Sequence, residues 1–162
     1  MFVNMIFRYR DILMKKFIII TIILLLLFPV LLYADNFPSK ADMYWLTQNI
    51  YHEARGETIY GQIMVGIVTL ERRNIGKWGN SIKSVVTSPA QFSWYSDGNS
   101  NVPTNEKEWK TSKIVAKISL LIYNNINDVK ITHYHEKHHH PYWADDMDKV
   151  ITIGNHIFYK QK

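Results

Sequence analysis

The chain contains no cysteine. That absence excludes a disulfide scaffold, a thiol nucleophile, a zinc ribbon and an iron–sulfur site. A length of 162 residues leaves no room for two domains with good cores. Internal repeats are absent, and the one biased tract is a histidine cluster. Charged residues make up 20% of the chain and aromatics 14%, which argues against disorder. One sign of charge is in excess, with a net of +5. Taken alone, that excess suggests nucleic acid, acidic polymers or membranes as partners.

The apolar residues are concentrated at one end. Phe17 to Tyr33 reads FIIITIILLLLFPVLLY without a charge, after Lys15-Lys16 and before Ala34. A basic start, an apolar run and a small exit residue describe a secretory signal peptide. A start at Met14 gives that signal an ordinary length. The alternative is an uncleaved anchor: the run is at the short end for a spanning helix, and Leu32 is a poor residue for an A-x-A cleavage site. Either way Arg8, Arg10, Lys15 and Lys16 hold the N-terminal side inside, so the rest of the chain is expected outside the cytoplasm. The expected organisation is a signal or anchor over 1–34, a spacer over 35–41 and one domain over 42–162. Residues 1–34 hold four basic groups and one acid, leaving 15 basic and 13 acidic residues, a net of +2. A domain of +2 has no nucleic-acid footprint, and membrane contact is expected only if the first segment stays attached.

Within the domain, Ser39 followed by Asp42 is a capping arrangement that predicts a helix. Met43, Leu46 and Ile50 form its apolar stripe, and three residues further the stripe reaches Glu53. Gly56 is the expected stop. A second helix is expected over 59–73, apolar on most of its circumference and therefore central. Gly61 and Gly66 within it predict close approach of another element. Residues 74–103 read as a short helix and a long loop, of the kind that is usually functional. Asn105 with Glu108 is another capping box, and a helix over 105–124 follows. Val129, Ile131, His133 and His135 then alternate as in a strand. Gly154-Asn155 between two alternating runs predicts a two-residue hairpin. The fold class is α+β, mainly α, with a small C-terminal antiparallel sheet.

Glu53 is the first candidate for chemistry. A carboxylate on a core-facing stripe is desolvated, which favours its protonated form and suits a general acid. Pairing with Arg55 is the structural alternative. Glu57 is the other carboxylate nearby, able to act as a second acid or base, to pair with Arg55, or to cap the second helix. His133, His135 and His138–His140 raise a metal site, but their spacing fits no regular ligand pattern, and no metal or cofactor is expected. Trp94, Tyr95 and Trp143 lie in loops beside polar residues and lean toward a sugar-stacking groove, whereas most aromatics are expected in the core.

These pieces together resemble the catalytic domain of the SleB-type cell wall hydrolases, the spore cortex-lytic enzymes and their relatives. The resemblance is carried by NIYHEARGETIYGQ (Asn49–Gln62), QFSW (Gln91–Trp94), THYH (Thr132–His135), Pro141, Trp143 and Ala144, and IGNHIFY (Ile153–Tyr159). It implies a lysozyme-like helical core and peptidoglycan as partner. It also implies cleavage between N-acetylmuramic acid and N-acetylglucosamine, as a lytic transglycosylase with Glu53 as the catalytic acid. Gln91, Ser93 and Trp94 match its substrate-groove segment, and His133, Tyr134 and His156 its later motifs. Glu57, Gln62, His135, Trp143 and Tyr159 are carried along as substrate-binding positions. Glu71 replaces an Asn of the family pattern, and His138–His140 are not part of it. The alternatives are an N-acetylmuramoyl-L-alanine amidase or a non-catalytic envelope glycan-binding module. The domain is expected as a monomer, exported to the periplasm, the wall or the outer face of the inner membrane.

Overall fold

The computed structural model describes residues 14–25 and 38–162. Residues 14–25 form a helix, α1, whose apolar side chains are exposed. The remainder of the apolar run, the cleavage-site reading and the upstream residues 1–13 lie outside the described residues. Among the described residues no helix is long and apolar enough to cross a membrane.

Residues Ser39–Lys162 form a second unit. It begins with α2 (Lys40–Ala54), whose Ser39 side chain accepts from the Asp42 backbone N–H at 3.0 Å. One orphan donor of the first turn is thereby satisfied. Asp42 is drawn into a second task, since its Oδ1 accepts the Ile82 N–H at 3.1 Å. The helix ends at Ala54, before Gly56, with Arg55 still in right-handed geometry. The chain therefore turns without needing a left-handed glycine.

Next comes α3 (Ile59–Ile75), capped by the Thr58 hydroxyl and closed by Gly76 in the left-handed region at φ 77°. It packs against α2, α6 (Glu106–Asn125) and the first strand. The central position expected from its all-round apolar character is what the structure has. Gly66 is where a neighbour comes close. A Cβ there would collide with the Ser119 Oγ and lie 2.8 Å from the Ser119 Cβ and 3.1 Å from the Ile50 Cδ1. Gly61 is different: a Cβ there would meet only Glu57 and Thr58, in its own entry turn.

The long loop carries two short helices, α4 (Ile82–Thr87) and α5 (Ser93–Ser96). A buried polar chain ties α5 to the core. The Trp94 indole N–H donates to the Asn49 Oδ1 at 2.9 Å, and the Asn49 amide donates to the Thr69 Oγ1 at 2.9 Å. The α6 cap is half of the expected box, as the Asn105 side chain accepts from the Glu108 N–H. The preceding loop is docked by the Tyr51 hydroxyl, which accepts from the Thr104 and Asn105 N–H groups.

The sheet has three antiparallel strands in the order β1-β3-β2: β1 (Ile131–Glu136), β2 (Met147–Ile153) and β3 (His156–Gln161). A short 3-10 turn, Tyr142–Asp146, precedes β2. The Gly154-Asn155 hairpin forms as the sequence predicts, with Gly154 at φ 58°. The strand alternation does not hold throughout. Pairing of β1 with β3 shifts register between Ile131 and His133, and at that irregularity Thr132 is buried while His133 is half-buried. The strand also starts at Ile131, because Asp128 and Lys130 take positive φ.

Gly66→Ala should destabilise the domain by about 1–3 kcal/mol through overpacking against Ser119. Adding Ser119→Gly should restore much of the lost thermal midpoint. A Gly66→Ala protein that melts with the parent would show that α3 and α6 do not meet as closely as described.

Candidate active site

A groove of about 800 Å³ runs between the helical layer and the sheet. Its residues come from every layer. His52 and Glu53 arrive on the last turn of α2, Arg72 on α3, and Gln91 and Ser93 around the start of α5. His133 to Glu136 arrive on β1, Trp143 on the 3-10 turn and His156 on β3.

Glu53 sits in the wall, mostly withdrawn from water, and its Oε2 accepts the Tyr134 hydroxyl at 2.8 Å. Burial pushes the Glu53 carboxyl above the usual glutamate range. The Tyr134 hydrogen bond and the Arg72 charge pull it partly back, while Glu136 adds a smaller upward push. Tyr134 is raised well above its ordinary value by its burial and by Glu53, so it stays a neutral donor.

Arg72 is 6% exposed. Its Nε donates to the Thr132 carbonyl at 2.8 Å, and its guanidinium lies between the Trp78 and Phe92 rings, at 5.4 and 5.1 Å. Its Nη1 has no hydrogen-bond partner. A buried cation without a bonded carboxylate is costly to hold, and here its field falls on Glu53 and Tyr134.

The histidines have separate tasks. His135 donates from Nδ1 to the Glu136 carbonyl, and its Nε2 faces the Tyr159 hydroxyl at 2.9 Å. His140 pairs with Asp145 at 3.0 Å, at the surface. His133 packs on Trp143 with ring centroids 5.0 Å apart, and burial, helped by Arg72, lowers it to about 4. Burial also lowers His156 and His52. At neutral pH the groove walls are therefore lined by uncharged imidazoles at His52, His133 and His156. Among the described residues no three His, Asp or Glu side chains converge as metal ligands.

The groove thus gathers Glu53, Gln91, Ser93, His133, Tyr134, His135, Trp143 and His156, all expected at the site. Four other candidates lie outside its lining. Glu57 accepts the Asn155 N–H at 3.0 Å and holds the hairpin. Gln62 donates to the Glu57 carbonyl at 3.1 Å. Trp94 is buried, stacked on His52 and bonded to Asn49. Tyr159 braces His135 from behind. Sequence reasoning missed Arg72, His52, Trp78 and Glu136, which also line the groove. For His52 a signal was present, since it directly precedes Glu53 in the motif.

Comparison with known proteins follows the same lines. The family model for cell wall hydrolases matches residues 56–159. The spore cortex-lytic enzyme of Bacillus subtilis is 37% identical over 76 residues, covering 45% of this chain and 25% of that protein. The enzyme of the same name from Bacillus cereus is 25% identical over 122 residues, covering 75% of this chain and 45% of that protein. The chain thus spans less than half the length of these relatives. Among solved structures, the catalytic domain of Bacillus cereus SleB aligns with a TM-score of 0.63 at 26% identity, covering 77% of this chain and 94% of that one. The catalytic domain of the germination-specific lytic transglycosylase SleB of Bacillus anthracis aligns at 0.60 and 27% identity, covering 75% and 96%. With most of its length matched by the family model and its domain matched by two SleB catalytic domains, this chain belongs to the cell wall hydrolase family.

Proposed function

We propose that the domain cleaves the glycan strand of peptidoglycan between N-acetylmuramic acid and N-acetylglucosamine, with Glu53 as the catalytic acid. One observation carries this reading: a desolvated carboxyl, hydrogen-bonded to a neutral tyrosine, stands in an open groove with aromatic and imidazole walls. The family match begins three residues beyond Glu53, so the role of Glu53 rests on that geometry and on the motif around it. The fold match to a lytic transglycosylase domain supports the reaction class.

Glu53 donates its proton to the glycosidic oxygen as the bond from that oxygen to the muramyl C1 breaks. The muramyl C6 hydroxyl then attacks C1, and its proton returns to the Glu53 carboxylate. One group acts twice, as acid and then as base. Tyr134 holds the carboxylate oriented, and Arg72 stabilises its charge between the two steps. Gln91, Ser93, His133, His135, Trp143 and His156 line the path of the strand. A second reading is hydrolysis, because Glu136 also lines the groove and would serve as base for a water. The substrate implies action outside the cytoplasm, delivered by the segment over 1–34, with residues 42–162 working as a monomer.

Glu53→Gln should abolish release of soluble muropeptides from sacculi. The same variant should melt higher than the parent at neutral pH. A carboxyl raised by folding costs stability as pH climbs from about 4.3, its ordinary value, through its raised folded value. Below that window the two proteins should melt alike. Retained muropeptide release in the variant would remove Glu53 from the chemistry.

The rate depends on protonated Glu53, so the parent should lose activity as pH rises through the raised value. Tyr134→Phe removes a bond that favours the carboxylate, so this alkaline limb should move to higher pH. Mass spectrometry of the products separates the two outcomes: anhydro-muramyl ends mark transglycosylation. Reducing ends that vanish in Glu136→Gln mark hydrolysis.

A further inference from the structure

We infer that an aromatic platform outside the groove, formed by the exposed Tyr44 and Tyr95 and the half-buried Trp45 and Trp109, is an accessory glycan-binding site for the same strand that occupies the groove. The inference rests on the peptidoglycan reading above. The platform is built from three helices: Tyr44 and Trp45 on α2, Tyr95 on α5 and Trp109 on α6. Tyr44 is 49% exposed and Tyr95 40%. Trp45 and Trp109 are half-buried, Trp45 against the core, and the two exposed tyrosines extend their surface on separate helices.

The rings form one connected array. Trp45 meets Tyr95 at 5.9 Å between centroids and Tyr44 at 5.7 Å, and Tyr44 meets Trp109 at 6.3 Å. The array continues to the groove. Tyr95 meets Trp94 at 5.9 Å, and Trp94 stacks on the groove residue His52 at 4.4 Å with planes 12° apart. Trp45 and His52 are seven residues apart on α2, about two turns or 10 Å along one helix face. That step is of the order of two sugar rings, so a strand leaving the groove past His52 and Ser93 has the platform within the reach of its next few sugars.

The chemistry of the platform fits a wall glycan. Aromatic faces take the C–H faces of sugars. The Tyr44 hydroxyl accepts from the Gln48 amide at 2.6 Å, which fixes the ring and leaves the hydroxyl's own hydrogen for a sugar oxygen. Beneath it Gln48 is 3% exposed, and its Oε1 has no partner. Two cations flank the rings: Lys83 lies 5.9 Å from the Trp45 centroid and Lys113 5.5 Å from that of Trp109. Neither forms an ion pair among the described residues. A strand carrying acidic peptide stems supplies the matching charge, which a neutral polysaccharide does not.

The test uses the Glu53→Gln chain as parent, so that nothing is cut, and measures its co-sedimentation with purified sacculi. Adding Tyr44→Ala and Tyr95→Ala should weaken binding about tenfold, the scale of one or two interface anchors. In chains with Glu53 intact, the same pair should lower turnover of sacculi relative to that of a soluble tetrasaccharide muropeptide by a similar factor. Lys83→Gln with Lys113→Gln, both on exposed stems, should weaken sacculus binding at low salt and much less at high salt. Equal binding by parent and platform variants overturns the inference and leaves the groove reading intact. Equal loss on sacculi and tetrasaccharide overturns it too, since the rings would then only prop the groove. A parent that binds no sacculi at all fails the peptidoglycan reading itself.

Discussion

The hydrogen bond from Tyr134 to Glu53 joins residues 81 apart in sequence and two layers of the fold. Much of the architecture can be understood as holding that bond in place. On one side the carboxyl needs the end of α2, fixed at its other end by the Ser39 cap and in its middle by Asn49, Leu46 and Ile50. On the other, the phenol needs β1 at one register. The bulge near Thr132 sets that register, and Arg72 pins it by taking the Thr132 carbonyl. Strand β3 closes the arrangement from behind, with Phe158 fully buried against Tyr134.

The electrostatics of the groove follow from a balance rather than from one group. Burial alone would hold Glu53 in its neutral form and make the carboxylate left after proton transfer costly. A cation held close, without a bonded contact, offsets part of that penalty. The arrangement is expensive for Arg72, which loses water and leaves an Nη1 unpaired. Its flanking rings, Trp78 and Phe92, recover some of the loss through cation–π contact. Uncharged imidazoles at His52, His133 and His156 complete a wall that offers polar atoms without adding charge.

What the sequence made legible was local. Caps at Ser39 and Asn105, the Gly154-Asn155 turn and the stripe leading to Glu53 each involve neighbours within a few residues. Their physics is therefore visible in a short window. The apolar circumference of α3 was legible for the same reason. What stayed hidden depended on partners far away. Glu57 sits four residues from Glu53 and looks like its catalytic companion, yet its carboxylate is engaged by Asn155, 98 residues on. Trp94 sits in a polar loop and looks like a groove residue, yet its N–H finds Asn49 on α2. Arg72 reads as an ordinary helix-end cation until β1 is folded over it. The β1 bulge broke the alternation that the strand pattern assumed.

The order of the strands has a consequence for timing. β1 and β2 touch only through β3, and β3 is the last of the three to be made. Until it inserts, β1 has no sheet partner, and the Glu57 clamp has no hairpin to hold. The carboxyl of Glu53 is synthesised early, but the strand that brings Tyr134 to it has no partner until residues 156–161 follow, so the two are locked together only once the hairpin closes.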